Sequence, residues 1–155
     1  MLLEKNIAQK LTKKRLTLAI AESCTGGLLS HSLTNIPGSS LYFKGSIIVY
    51  SNESKTKLLN IPPKLLKRDG AVSEATALLM AQNIRKIFHS TFGLGITGIA
   101  GPSGGTPLKP VGLTFIDIST PHKSLSLRCL FKGSRLKIKK QASTKALRLL
   151  SQFLK

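Results

Sequence analysis

The sequence is poor in carboxylates. Six Asp and Glu stand against 24 Lys and Arg in 155 residues, a formal charge of +18. Most cations therefore lack an ionic partner of their own chain, and the resulting field draws anions such as phosphorylated metabolites, nucleic acid or an acidic membrane surface. Aromatic residues are scarce too, at 5% with no tryptophan. RNA-binding modules interleave stacking aromatics with their cations, so a base-stacking platform is not indicated. The two cysteines, Cys24 and Cys129, make neither a disulfide framework nor a metal set. A reducing, cytoplasmic setting is expected, with no metal and no cofactor. No apolar run reaches the ~20 residues of a membrane span. The opening MLLEKNIAQKLTKK lacks the long apolar centre of a secretion signal.

What is present reads as one α/β domain over residues 1–155. Hydrophobic residues make up 41% of the chain, enough for a real core at this length. Leu3, Ile7 and Leu11 share a helical face, and that first helix runs to about Lys14. LTLAIAES (16–23) reads as a buried strand, CTGG as a tight turn, and LLSHSLTNI (28–36) as a helix ended by Pro37-Gly38. GSIIVYS (45–51) is the next strand, followed by Asn52 as the cap of a helix over ESKTKLLN that Pro62-Pro63 ends. Ser73 caps a longer helix from Glu74 to His89. GLGITGIAG (93–101) runs into the loop PSGGTPLKP; VGLTFIDIS and SLSLRCLF pair around Pro121-His122-Lys123 as an antiparallel hairpin. A final helix carries Ile138, Ala142, Leu149, Leu150 and Phe153 on one stripe. Helices on both faces of a mixed sheet give a three-layer α/β/α architecture.

Three segments carry chemistry. Ser23 lies where a strand meets a glycine turn and a helix, and ligands of open α/β sheets bind at the carboxyl ends of strands. The amides of Cys24, Thr25, Gly26 and Gly27 fall at the helix start, where unpaired N–H groups favour negative charge and suit an oxyanion. A serine nucleophile needs a base. His31, His89 and His122 sit on a helix, a helix end and a hairpin turn, which leaves lysine as the candidate. Lys55 falls in the first turn of a helix beside a strand end. The positive helix end, partial burial beside Tyr50 and the net charge all disfavour its protonation. Tyr50 is placed to hydrogen-bond the pair or to stack on a ring. The third segment, Thr97-Gly98-Ile99-Ala100-Gly101-Pro102-Ser103-Gly104-Gly105, follows another strand end. Its amides can close on a phosphate or carboxamide, and it lacks the Gly-Lys-Ser/Thr ending of a Walker loop. Cys24 remains an alternative nucleophile, disfavoured because neighbouring residues point in different directions.

AESCTGG (21–27), PGSS (37–40), YSNESK (50–55), GAVSE (70–74), GITGIAGPSGG (95–105) and KPVG (109–112) occur in one order, and together the chain resembles the CinA C-terminal domain family. In its stand-alone form that domain is a nicotinamide-nucleotide amidase, and no fused N-terminal domain is expected here. The resemblance implies hydrolysis of the carboxamide of nicotinamide mononucleotide to nicotinate mononucleotide and ammonia, without metal or cofactor. It implies a serine–lysine pair at Ser23 and Lys55 with Tyr50 in support, and a homo-oligomer, with a dimer favoured. The substrate phosphate would meet the Gly98–Gly105 amides or Arg135. The rival readings are a basic nucleic-acid-binding or protein-interaction domain without the activity, and an amidase for another small amide. They separate by salt-dependent binding that survives loss of Ser23.

Overall fold

The computed structural model describes residues 2–155. In chain order the elements are α1 (Leu2–Lys14), β1 (Leu18–Glu22), α2 (Leu28–Thr34), β2 (Phe43–Ile48), α3 (Asn52–Leu59), α4 (Pro63–Asp69), α5 (Glu74–Ile87), β3 (Phe92–Gly98), β4 (Leu113–Ser119), β5 (Ser124–Leu130) and α6 (Arg135–Phe153). The five strands form one sheet in the order β2-β1-β3-β4-β5. β1 runs parallel to both neighbours, whereas β3, β4 and β5 pair antiparallel. The sheet is mixed and single, as the alternation of periods in the sequence implies.

Period-two alternation along the strands divides the core. Leu18 and Ile20 of β1, with Phe92, Leu94 and Ile96 of β3, pack under α1, α2 and α6. Ala19 and Ala21 face the other way, towards Met80 and Ile84 of α5 and Leu59 and Leu66 of α3 and α4. α5 lies very close to β3. A Cβ at Gly93 would stand 2.0 Å from the Ala81 carbonyl oxygen, and one at Gly95 would stand 2.4 Å from that of Ala77. Glycine at these positions is what lets the helix seat itself on the strand.

β1 is where the chain changes face. It leaves through α2 on one side of the sheet to reach β2, then returns through α3, α4 and α5 on the other side to reach β3. A crevice at the carboxyl end of such a strand is the usual ligand position of an open α/β sheet. Ser23 directly follows that end.

The structure corrects several element boundaries. Ser51, not Asn52, caps α3: its hydroxyl accepts from the Ser54 amide in a capping box, and Asn52 is the first helical residue. Pro62-Pro63 does more than stop a helix, because Pro63 opens the separate helix α4, a position that suits proline's fixed φ and missing N–H. A short 3-10 turn occupies Ser39–Leu41, and β2 begins at Phe43 and ends at Ile48. β3 ends at Gly98, before the glycine loop. No helix among the described residues is long and apolar enough to cross a membrane.

One core residue carries a cost. Asp117 of β4 is fully buried; one carboxylate oxygen accepts from the Ser126 hydroxyl and the other meets no donor among the described residues. Burial pushes its carboxyl up to about 6, with the Glu74 charge adding in the same direction and the Ser126 hydrogen bond opposing. Asp117 therefore holds its proton more tightly folded than unfolded. Its contribution to stability is present below the ordinary carboxylate range and is lost as pH rises through about 6. Urea unfolding should show Asp117→Asn more stable than wild type at pH 8 by roughly 1–3 kcal/mol, with the advantage fading towards pH 4. A constant offset across that range would contradict this account.

Candidate active site

Three parallel strands end at one edge of the sheet, and each delivers a piece of the site. Ser23 follows β1, Val49 and Tyr50 follow β2, and Thr97 and Gly98 close β3. The Ser51 capping box fixes where α3 starts. Lys55 is then one turn inside the helix, and its side chain reaches back beneath the cap towards the strand ends.

Lys55 is 1% exposed and Ser23 7% exposed, so the contact between them is shielded from bulk water. Lys55 Nζ lies 3.1 Å from Ser23 Oγ, 2.8 Å from the Val49 carbonyl oxygen and 3.4 Å from that of Tyr50. Burial lowers the pKa of Lys55 from its ordinary value, and the neighbouring Cys24 acts weakly the other way. A neutral amine has two N–H bonds and one lone pair. Two carbonyls can take the N–H bonds, which leaves the lone pair facing the serine hydroxyl. The pair is separated by 32 positions in sequence, and only the parallel placement of β1 and β2 brings it together.

The turn after Ser23 is organised by a residue the sequence reading passed over. Glu22 is fully buried at the end of β1. Its carboxylate accepts from the hydroxyls of Thr25 and Ser30 at 2.6 and 2.5 Å and from the amides of Gly27, Leu29 and Ser30 at 2.8–3.2 Å. It serves as the anion that the start of α2 requires. This changes the expected oxyanion site. The Gly27 amide is committed to Glu22 and the Gly26 amide to the Ser23 carbonyl, at 3.1 Å. The amides of Cys24 and Thr25 bond no backbone carbonyl among the described residues; Cys24 lines the cleft, whereas Thr25 is fully buried. The signal for Glu22 was available: a lone acid in an acid-poor chain, at the end of an otherwise apolar strand. Burial pushes the Cys24 thiol up to about 12, so a thiolate there is disfavoured.

Tyr50 is on the rim rather than against the pair. Its side chain is 60% exposed and its hydroxyl accepts from Arg135 at 2.7 Å. Only its backbone carbonyl reaches Lys55, so the burial of the lysine comes from elsewhere. Arg135, the first residue of α6, also donates to the Gly101 carbonyl at 2.7 Å and so ties α6 to the glycine loop. Thr97 is buried, and its hydroxyl donates to the Ala71 carbonyl at 2.8 Å. Ser23, Cys24, Lys55, Thr97, Gly98 and Arg135 line one cleft of about 180 Å³. Lys139, one turn beyond Arg135, adds a charge that the sequence reading missed: its ammonium would lie 3.7 Å from a Cβ placed on Gly26. Roomier hollows of about 440 and 800 Å³, beside α3–α4 and beside α1, contain no nucleophile paired with a base.

The chain is similar to known proteins in sequence and in fold. The model of the CinA C-terminal domain family matches residues 2–154. A CinA-like protein of Syntrophus aciditrophicus is 46% identical over 153 residues, covering 98% of this chain and 36% of that protein. A CinA-like protein of Acidobacterium capsulatum is 48% identical over 145 residues, covering 94% and 35%. The chain thus spans about a third of the length of these relatives. The crystal structure of the competence/damage inducible protein CihA from Agrobacterium tumefaciens superimposes with a TM-score of 0.96 at 34% identity, covering 99% of this chain and 94% of that one. That of a CinA superfamily protein from Enterobacter cloacae gives 0.94 at 33% identity, covering 99% and 90%.

The Glu22 network makes a prediction about stability. Glu22→Ala leaves several buried donors without an acceptor and should cost about 2–4 kcal/mol in chemical unfolding. Glu22→Gln, which keeps one acceptor oxygen, should cost less. Loss of under about 0.5 kcal/mol in the alanine variant, the range of a neutral surface change, would show that the turn is held by other contacts.

Proposed function

The chain belongs to the CinA C-terminal domain family, and from that premise we propose that it is an amidohydrolase that removes ammonia from the carboxamide of nicotinamide mononucleotide, with Ser23 as nucleophile and Lys55 as general base. The observation that carries the reading is the buried 3.1 Å contact between Lys55 Nζ and Ser23 Oγ. A desolvated lysine beside a hydroxyl has one evident chemical use, to take the proton as the hydroxyl attacks.

In this mechanism neutral Lys55 accepts the Ser23 proton while Ser23 Oγ bonds to the carboxamide carbon. The Cys24 amide receives the oxyanion. Protonated Lys55 then gives its proton to the departing nitrogen, the C–N bond breaks, and ammonia leaves. A water molecule deprotonated by Lys55 attacks the acyl ester, releasing the carboxylate and restoring Ser23. The cleft of about 180 Å³ is small against the ~300 Å³ or more of pockets that enclose drug-sized ligands. The pyridine ring fills it, and the ribose phosphate lies over the rim. There Arg135, Lys139 and the Gly98–Gly105 amides offer positive charge, and Tyr50 covers the ring edge. Family likeness alone extends the reading to a cytoplasmic homo-oligomer, with a dimer favoured, that needs no metal or cofactor.

Purified protein should release ammonia from nicotinamide mononucleotide. Ser23→Ala should lower kcat by about 10³-fold or more, and Lys55→Met by about 10²–10⁴-fold. Lys55→Arg should fail equally, since arginine does not give up its proton. Undiminished turnover in Ser23→Ala would end the proposal. The pH profile has a defined sign. Lys55 works unprotonated and burial lowers its pKa, so kcat/KM should rise with pH and level off below the ordinary lysine value of about 10.4. A rate that is flat from about pH 6 to 9 would remove Lys55 as the base.

A further inference from the structure

The carboxylates are unevenly shared between the two helical layers. On the α3–α5 side Glu53 pairs with Lys57 at 2.6 Å and Asp69 with Arg68 at 2.8 Å. On the opposite side neither α2 nor α6 contains an acid, and α1 contains only Glu4. α1 and α6 lie side by side there: Ile7, Ala8 and Leu11 share a core with Ala142, Ala146 and Leu149. Their C-terminal ends meet, where Lys14 Nζ donates to the carbonyl oxygens of Leu154 and Lys155 at 3.2 and 3.0 Å.

α6 is arranged against its own stability. Its first turn has Arg135 and Lys137 and no acid, where the helix dipole favours negative charge. Lys137 with Lys140, and Lys145 with Arg148, are like-charged neighbours at i,i+3, each a cost to the helix. Lys137, Lys140 and Arg148 are exposed and share one stripe that spans about 16 Å of helix. Lys13, in the last turn of α1, and Arg15, just after it, are exposed too. This stripe is separate from Arg135 and Lys139, which turn to the cleft.

We propose that the α1–α6 face is a docking surface for double-stranded nucleic acid, held through its phosphates without reading of sequence. A row of unpaired cations at helical spacing suits a polymer with closely spaced negative charges, and release of its counterions supplies the affinity. Two absences select the duplex. The face offers no stacking platform for single strands: Phe153 is partly buried edge-on against Phe92, at 6.3 Å between ring centres, and the exposed aromatic Tyr50 is at the cleft. The large hydrophobic side chains exposed on α1 and α6 are two, Leu2 and Leu136, too few for the broad apolar face by which a helix enters an acyl layer. The inference is independent of the chemistry at Ser23.

The test is fluorescence anisotropy with a labelled DNA duplex of arbitrary sequence, from about 50 to 200 mM salt. Two triple variants of equal net charge are compared: Lys137→Glu/Lys140→Glu/Arg148→Glu on the α6 stripe, and Lys64→Glu/Lys67→Glu/Lys86→Glu on the opposite layer. The stripe variant should bind at least about tenfold more weakly, and the slope of log affinity against log salt should become shallower by about 2–3. The opposite-layer variant should lose far less, and Ser23→Ala should bind as wild type does. Circular dichroism should show the stripe variant folded, since its glutamates relieve repulsion. If it unfolds, the milder Lys137→Gln/Arg148→Gln decides, with a loss of at least about threefold expected and the slope shallower by about 1–2. Absence of duplex binding by the wild type at about 50 mM salt, equal losses in the two triple variants, or tighter binding to phosphatidylglycerol vesicles or single strands than to duplex would each overturn the proposal.

Discussion

The Lys55 ammonium nitrogen sits where a charge is expensive. It is out of water, beside two main-chain carbonyls and one serine hydroxyl. Desolvation favours the neutral amine, and it is a larger effect than the opposing influence of Cys24. Much of the surrounding architecture serves to hold that balance. β1 and β2 must be parallel and adjacent, α3 must start at Ser51, and the lysine must be long enough to turn back under its own cap. A shift of one residue in the capping box would carry the amine about 100° around the helix and out of the cleft.

The serine half of the contact has its own support. Its backbone amide is tied to the Ile96 carbonyl of β3 at 3.0 Å, so the position of Ser23 is set by the sheet rather than by a mobile loop. Glu22 then folds the next residues into α2 by gathering their donors on one buried carboxylate. The two residues at the end of β1 thus divide the work, Glu22 binding the turn and Ser23 facing the cleft. Six acids in the whole chain make the burial of two of them, Glu22 and Asp117, informative. Glu22 is saturated with hydrogen bonds and rigidifies the site, whereas Asp117 is half satisfied and weakens the fold as pH rises.

Much of this was legible in the sequence. Short apolar runs ending in glycine turns marked β1 and β3, and alternation in SLSLRCLF marked the hairpin edge. The ordered motifs led to Ser23 and Lys55. What failed to show was local and depended on three-dimensional partners. Ser51 and Asn52 are both good caps, and only the reciprocal bond to Ser54 chooses between them. Pro62-Pro63 reads as a stop, though proline starts a helix as readily as it ends one. Position along the turn offers four oxyanion donors, but Glu22 and the Ser23 carbonyl claim two of them. Tyr50 reads as a strand-end aromatic that hydrogen-bonds the pair or stacks on a ring, while alternation at the strand end sends its ring outward to Arg135. The net charge and the acid-free stretch from Lys132 to Lys155 are plain in the sequence, but that α6 lies beside α1 required the fold.

The proposed chemistry depends on the protonation state of one amine. Heteronuclear NMR of the Lys55 side-chain nitrogen in the intact protein, followed from neutral to alkaline pH, reads that state without recourse to any substrate. The amine should lose its proton well below the ordinary lysine value of about 10.4, and Ser23→Ala should leave that depression in place, since burial causes it. An amine that stays charged up to or beyond the ordinary value would contradict the account.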